Sequence, residues 1–266
     1  MGELPATMWA LSRELRVNSG RIPTRKLMRI SVVIPVCNEE ENVLPLVSEI
    51  REALIDFQPF EIIFIDDGST DATAAVLREA RLQFPEIRLL EHSRRSGQSA
   101  AVHAGVRAAR AEWIATLDGD GQNVPADIPV LMAARDAGSP GLKLIMGNRK
   151  AARQDSWLRK MSSRVANRVR GHFLRDYTPD TGCGLKLFHR QSFLDLPRFD
   201  HMHRFLPALF LNAGHEVMSV NVRHRARTRG VSKYGLRNRL WVGIVDLFGV
   251  RWLMLRNPAR PQVIER

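Results

Sequence analysis

Cysteine is nearly missing from this 266-residue chain, where Cys37 and Cys183 stand far apart and without metal-ligand spacing. That excludes a disulfide framework and suits a reducing compartment; each thiol reads as a small buried hydrophobe. Long apolar runs are missing as well. The nearest approach to the ~18 to 20 apolar residues of a membrane span is Leu240 to Leu255, broken by Asp246 and Arg251. Residues 1–29 lack the continuous apolar region of a secretory signal and read as an extension with one short helix around Met8 to Leu15. Neither G-x-G-x-x-G nor a Walker A loop follows any strand-like run, which removes two standard ways of holding phosphates. With two tyrosines and no basic platform interleaved with aromatics, the chain is not expected to bind nucleic acid.

Positive charge, by contrast, is abundant. Lysine and arginine number 40 against 28 acidic residues, a net charge of +12 that calls for anionic partners. A hydrophobic content of 44% is enough for one sizeable core. Ile30 to Pro35, Phe60 to Ile65 and Ile87 to Glu91 read as strands. Between and after them, helices are expected from Val43 to Leu54, Ala72 to Gln83 and Gly97 to Ala111. Strands alternating with helices of this length imply βαβ units and a mostly parallel sheet.

A further short strand, Trp113 to Leu117, ends in Asp118-Gly119-Asp120-Gly121-Gln122. Two carboxylates one residue apart, with glycines that let the chain turn and an amide after them, suit a hard cation bridging to a diphosphate. A solvated turn rich in Asp and Gly is the alternative for this stretch taken alone. A calcium loop is a worse alternative, because the sixth position from Asp118 is Asn123, where an EF-hand needs Gly, and the twelfth is Pro129, where it needs Glu. Glu39, Asp66-Asp67 and Asp118-Asp120 all follow strands and would converge on one sheet edge, where ligands of open α/β sheets bind. Carboxylates gathered around a phosphate repel it unless a divalent cation intervenes, so the cluster argues for Mg²⁺ or Mn²⁺.

Ile34-Pro35-Val36-Cys37-Asn38-Glu39, Ile65-Asp66-Asp67-Gly68-Ser69-Thr70-Asp71, Gly97-Gln98-Ser99-Ala100 and Asp118 to Gln122, in that order, resemble the motifs of family 2 glycosyltransferases with the GT-A fold. The nearest branch is the polyprenyl-phosphate glycosyltransferases similar to dolichol-phosphate mannose synthase, and the resemblance runs from about Ile30 to Trp252. It implies a three-layer α/β fold with a mostly parallel central sheet. It also implies that Pro35, Cys37, Glu39, Ile65, Asp67 and Gly97 surround the nucleotide, that Asp118, Gly119 and Asp120 meet the diphosphate, and that Asp118, Asp120 and Gln122 hold the metal. Tyrosine is common in the family where this chain has Cys37, which leaves the choice between a UDP and a GDP donor open.

Beyond Gln122, Pro125 opens a helix through Asp136, and the strand Leu142 to Gly147 delivers Arg149, which matches a donor-contacting arginine of the family. Ser156 to Phe173 reads as an amphipathic helix with a basic face, either solvated or laid on anionic headgroups. Asp180, ahead of the strand Leu185 to Phe188, resembles the family segment facing the reacting centre and is the candidate catalytic carboxylate, with Asp120 and Arg149 completing the catalytic set. His203-Arg204-Phe205 is expected to start a helix, in which His203 reads as structural. A last strand, Met218 to Val222, feeds Arg225 to Tyr234, which resembles the family's R-x-x-G-x-S-K-Y segment; Arg204, Arg227, Ser232 and Lys233 are assigned to the acceptor phosphate, with Arg227 and Lys233 also within reach of the donor.

Residues 1–29 are therefore taken as an extension, 30–236 as the catalytic domain and 237–266 as a membrane-associating segment. Trp241 to Leu255, with tryptophans and arginines near its ends, reads as an interfacial amphipathic helix or as an ordinary buried one. The expected activity is inverting transfer of a sugar from a nucleotide sugar to a polyprenyl phosphate, at the cytoplasmic face of the inner membrane, by a peripheral protein. Homo-oligomerisation is left open. A hydroxyl acceptor is the alternative, in which Asp180 would act as base; a non-catalytic basic module docking on membrane or nucleic acid is the remoter one.

Overall fold

The structure is a computed structural model and describes residues 27–149, 170–226 and 236–256, the side chains of 236–242 excepted. Strand β1 (Ile30–Val36) is the centre of its parallel half. It pairs in parallel with β2 (Phe60–Asp66) on one side and β4 (Trp113–Thr116) on the other, and β2 pairs in parallel with β3 (Ile87–Glu91). Such strands are covered on both faces, which is why they read as continuous β-branched runs rather than alternations. Beyond β4 the direction changes. Strand β6 (Lys186–His189) runs antiparallel between β4 and β5 (Leu142–Asn148), and β7 (Glu216–Asn221) closes the sheet parallel to β5, in the order β3-β2-β1-β4-β6-β5-β7.

Helices cover both faces. On one, α1 (Glu40–Ala53), α2 (Thr73–Gln83) and α4 (Ile128–Asp136) set Leu46, Ile50, Leu77 and Leu131 against Val32, Ile34 and Phe64. On the other, α3 (Gln98–Ala108), α5 (Arg190–Leu194) and α6 (Leu206–Asn212) pack Val102, Phe193 and Phe210 against Val33, Ile63 and Phe188. The acidic start of α1, Glu40 and Glu41, lies where the helix dipole favours negative charge. The C-terminal helix α7 (Leu236–Arg256) joins the second face through Val250, Leu247 and Met254.

Two local expectations shift. The segment expected to be one helix from Pro125 begins as a 3₁₀ turn, Pro125–Asp127, and becomes α-helical only at Ile128. Similarly, Met202–Arg204 is a 3₁₀ turn that precedes α6. Of the helix expected from Ser156 to Phe173, residues 156–169 lie outside the described residues, and 170–174 are helical.

One buried carboxylate ties the parallel strands together. Glu61 on β2 accepts hydrogen bonds from Ser31 Oγ of β1 at 2.6 Å, from the Arg110 backbone N–H at 2.7 Å and from Arg88 of β3 at 2.6 Å. Removing one partner of such a buried network strands the others. Glu61→Ala is expected to lower unfolding stability by about 3 kcal/mol, read from urea titration at pH 7, with Glu61→Gln losing less.

Candidate active site

The carboxyl ends of β1, β2 and β4 open into a cleft of about 760 Å³, within the range of small-ligand sites. Pro35, Cys37 and Glu39 line it from the β1 turn, Asp67 from the end of β2, and Gly97 from the start of α3. Asp118, Gly119, Asp120 and Gln122 form the wall after β4, and Arg149 and Arg204 face it from the other half of the sheet. Ile65 is not among the lining residues. Its side chain is fully buried in the core beneath α3, because alternation along β2 turns it into the sheet face rather than toward the strand end. Arg227, Ser232 and Lys233 lie outside the described residues.

Local hydrogen bonds explain why the nucleotide side of the cleft has this shape. Asp67 is buried, and its oxygens take the backbone N–H groups of Ser96 and Gly97, both at 2.8 Å, and His92 Nδ1 at 2.8 Å. The carboxylate thus pins the loop ahead of α3. Gly97 bends there with φ of 91°, a conformation that disfavours any side chain. Glu39 accepts from Asn42 Nδ2 at 2.7 Å, which holds the β1 turn against the first turn of α1.

At the floor, Asp118 Oδ1 accepts from Gln98 Nε2 at 2.9 Å, and Asp120 Oδ1 accepts the Gln122 backbone N–H at 3.1 Å. Burial pushes the Asp118 carboxyl above the usual carboxylate value; Lys186 opposes the shift and repulsion from Asp120 adds to it. Gly184 passes so close that a Cβ there would overlap the Asp118 carboxylate and Asn123 Oδ1. Among the described residues, no group of three or more His, Cys, Asp or Glu side chains is placed to hold a metal. The wall after β4 carries Asp118 and Asp120, with Gln122 beside them.

Asp180 and Arg149 form a buried ion pair. Arg149 donates through Nε at 2.8 Å and Nη2 at 3.0 Å to the two carboxylate oxygens, and its backbone N–H adds a third bond at 3.1 Å. Burial works against the guanidinium charge, and Asp180 more than offsets it, so the Arg149 pKa stands above its ordinary value. Both Asp180 oxygens meet Arg149, and Asp180 is not among the residues that line the cleft.

Sequence reasoning assigned no site role to several residues of this wall, Lys186 and His203 among them. Lys186 is buried at the cleft, and its Nζ bonds the Cys183 carbonyl; burial lowers its pKa, and the nearby Asp118 carboxylate counters that shift. The strand pattern of β6 hides it, since one lysine in a four-residue strand reads as solvent-facing. His203, read as structural, does bond Ser99 but also lines the cleft. Cys183 is fully buried, and burial pushes its thiol up, which keeps it unreactive.

A thermodynamic cycle separates an Asp180 that positions Arg149 from one that takes a proton. Asp180→Asn and Arg149→Lys are each expected to lower kcat/KM by about a hundredfold and stability by about 3 kcal/mol. The double variant should be hardly worse than either alone, since the two residues act as one unit. Steady-state kinetics and urea unfolding on the three variants test this; additive losses in kcat would instead mark Asp180 as an independent base.

Comparison with known proteins adds relatives in sequence and fold. Over 238 residues the chain is 37% identical to the dodecaprenyl-phosphate galacturonate synthase of Rhizobium johnstonii, covering 88% of this chain and 69% of that protein. It is 34% identical over 214 residues to the undecaprenyl-phosphate 4-deoxy-4-formamido-L-arabinose transferase of Edwardsiella ictaluri, covering 78% of this chain and 63% of the relative, so it spans less than two thirds of that protein's length. In fold it is similar to the mannosyltransferase PcManGT of Pyrobaculum calidifontis, solved with GDP-Man and Mn²⁺, at a TM-score of 0.60 and 17% identity over 89% of this chain and 67% of that one. Glucosyl-3-phosphoglycerate synthase of Mycobacterium tuberculosis superposes with a TM-score of 0.62 at 18% identity, over 84% of this chain and 80% of the other. The sheet order and flanking helices accordingly form the expected GT-A architecture. Residues 31–196, the span that carries β1 through β6 and with them most of the cleft wall, match the family described as Glycosyl transferase family 2, and the chain belongs to that family.

Proposed function

We propose that this chain transfers a sugar, with inversion at the anomeric carbon, from a UDP- or GDP-linked donor to a polyprenyl phosphate, supplying lipid-linked sugar for cell-envelope glycan or lipid modification. One observation carries the choice of acceptor. Asp180, the carboxylate that a hydroxyl acceptor would need as base, is committed through both oxygens to Arg149. A phosphate monoester has a second pKa near ~6 and is largely ionised at pH 7, so it attacks without such help. The names of the relatives support the same reading, since the two described above are named for transfer to dodecaprenyl and undecaprenyl phosphate.

Asp118, Asp120 and Gln122 fit a hard divalent cation, Mg²⁺ or Mn²⁺. Their donors are all oxygens or can present one, and the burial that raises the Asp118 pKa outweighs the opposing charges of Lys186 and Arg149, so a cation there would be favoured. Such a cation, when bound, neutralises the departing diphosphate. The chain's own contribution is positional. Pro35, Cys37, Glu39 and the loop pinned by Asp67 would hold the nucleoside, and Arg149 and Lys186 would present positive charge where the diphosphate leaves. Arg204, with Arg227, Ser232 and Lys233 of the basic segment, would receive the acceptor phosphate.

Residues 30–236 then form the catalytic unit, and 237–266 associate with an anionic membrane surface at the cytoplasmic face. Val245, Phe248, Trp252 and Leu255 make an exposed apolar stripe at helical spacing on α7, with Phe248 also edge-on to Phe173 at 5.2 Å between ring centroids. No helix among the described residues is long and apolar enough to cross a membrane. The stripe supports contact from one side, and it could equally pair copies of the chain as a homo-oligomer.

Transfer of labelled sugar into an organic-extractable lipid tests the activity. With undecaprenyl phosphate, a panel of nucleotide sugars that includes a uronate donor, and Mg²⁺ or Mn²⁺, one donor is expected to label the lipid, and a chelator to abolish the labelling. Label appearing only in a hydroxyl acceptor, or no nucleotide consumed at all, would sink the proposal. For the membrane segment, Phe248→Glu with Trp252→Glu is expected to cut sedimentation with anionic vesicles by about tenfold or more, given the apolar area lost. Transfer to a short, water-soluble polyprenyl phosphate should survive; unchanged sedimentation would count against α7 as the contact.

A further inference from the structure

Ser99 sits in the first turn of α3, buried, and makes two hydrogen bonds to a residue 104 positions away. Its Oγ accepts the His203 backbone N–H at 3.3 Å and lies 2.8 Å from His203 Nδ1. The hydroxyl carries one proton, and Nδ1 is the acceptor it meets among the described residues; with that proton donated to Nδ1, the neutral ring carries its own on Nε2. His203 bonds Ser99 through its backbone N–H and through Nδ1, and the residue lines the cleft, which leaves Nε2 available to a ligand. The imidazole is also held neutral. Burial lowers its pKa to about 3, and the charges of Lys186, Arg204 and His201 push in the same direction.

A neutral ring with its proton on Nε2 cannot take a proton from the acceptor, but it can donate a hydrogen bond in a place where a further cation would be repelled. The neighbours name the ligand. Arg204 follows His203 in the same 3₁₀ turn and lines the same cleft, and Lys186 stands beside them, so the group that meets Nε2–H is one that two cations also attract. We infer that His203, fixed by Ser99 as a neutral Nε2–H donor, hydrogen-bonds the phosphate of the lipid acceptor beside Arg204 and helps set the preference for a phosphate over a hydroxyl acceptor. The inference rests on the acceptor proposed above. His203 is then an acceptor-binding residue, and Ser99 a positioning residue that acts through it.

Binding of farnesyl phosphate and of the nucleotide-sugar donor, measured separately by calorimetry on the full chain, tests this alongside the transfer assay. His203→Phe keeps the ring's bulk and removes the donor; it is expected to weaken farnesyl phosphate binding about tenfold, the loss of one hydrogen bond to a charged group, with donor affinity changed less than about twofold. His203→Gln places an amide N–H near the Nε2 position and should recover most of the loss, which a merely structural role would not predict. In ¹⁵N spectra the wild-type ring should show the neutral form protonated at Nε2, and Ser99→Ala should lose that single-tautomer signature. Unaltered farnesyl phosphate binding in His203→Phe, no recovery in His203→Gln, or an equal loss of donor affinity would overturn the inference. If wild-type protein transfers to polyprenyl phosphate and His203→Phe matches it at limiting acceptor, the inference alone falls; if the wild type neither transfers to nor binds the phosphate lipid, the acceptor assignment falls with it.

Discussion

The cleft depends on a buried ion pair, Arg149 with Asp180. Taking a guanidinium and a carboxylate out of water costs several kcal/mol per ion, and the cost is offset only when the geometry is good and the remaining lone pairs are used. Here the fork of the guanidinium meets both oxygens, and the Arg149 backbone N–H supplies a third bond. The arrangement ties the end of β5 to the segment that enters β6. It also bears on the chemistry proposed: the carboxylate is engaged through both oxygens, and the guanidinium is held at the cleft with its charge compensated.

A second constraint comes from the change of strand direction. The parallel half of the sheet delivers carboxylates to its carboxyl edge, at Asp67 and Asp118. Antiparallel β6 enters from that same edge, so its first residue, Lys186, starts at the place where β4 has just ended; Thr116 and Lys186 are paired across the two strands. An acidic wall from one half therefore faces a basic wall from the other. Gly184 permits the approach, because any side chain there would meet Asp118. The same neighbourhood explains opposite pKa displacements from one cause. Burial disfavours both charges, raising Asp118 and lowering Lys186, and each restrains the shift of the other.

Much of this was legible in the chain because it is local. The β-branched runs, the acidic turns that follow them and the spacing of helices α1 to α4 all depend on residues close in sequence. What stayed hidden depends on distant partners. Ile65 belongs to a recognised motif, yet its side chain joins the core because strand alternation, not motif membership, decides where it points. Asp180 looked like a free carboxylate until Arg149, 31 residues earlier, was brought against it. His203 read as structural and does bond Ser99, but only the fold also brings it to the cleft wall. The boundary shifts at Pro125–Asp127 and Met202–Arg204 are smaller: in each case the turn before a helix tightens into 3₁₀ geometry, with a proline at the start of the α-helix that follows.

Transfer between two phosphorylated substrates poses an electrostatic difficulty that the wall chemistry addresses. A donor diphosphate and an acceptor phosphate repel, and cations are needed near both, but cations crowded into one buried space repel each other as strongly. The fold spreads the charge. Arg149 is compensated by Asp180, Lys186 stands opposite Asp118, and Arg204 lies on a separate turn. Where one more hydrogen-bond donor would complete the acceptor side, an ammonium or guanidinium beside Lys186 and Arg204 would carry a large desolvation and repulsion cost. A neutral imidazole, kept in one tautomer by a serine hydroxyl, presents an N–H without adding charge. That same arrangement makes it a poor base, which agrees with the proposed acceptor, since a phosphate arrives already ionised and a hydroxyl does not.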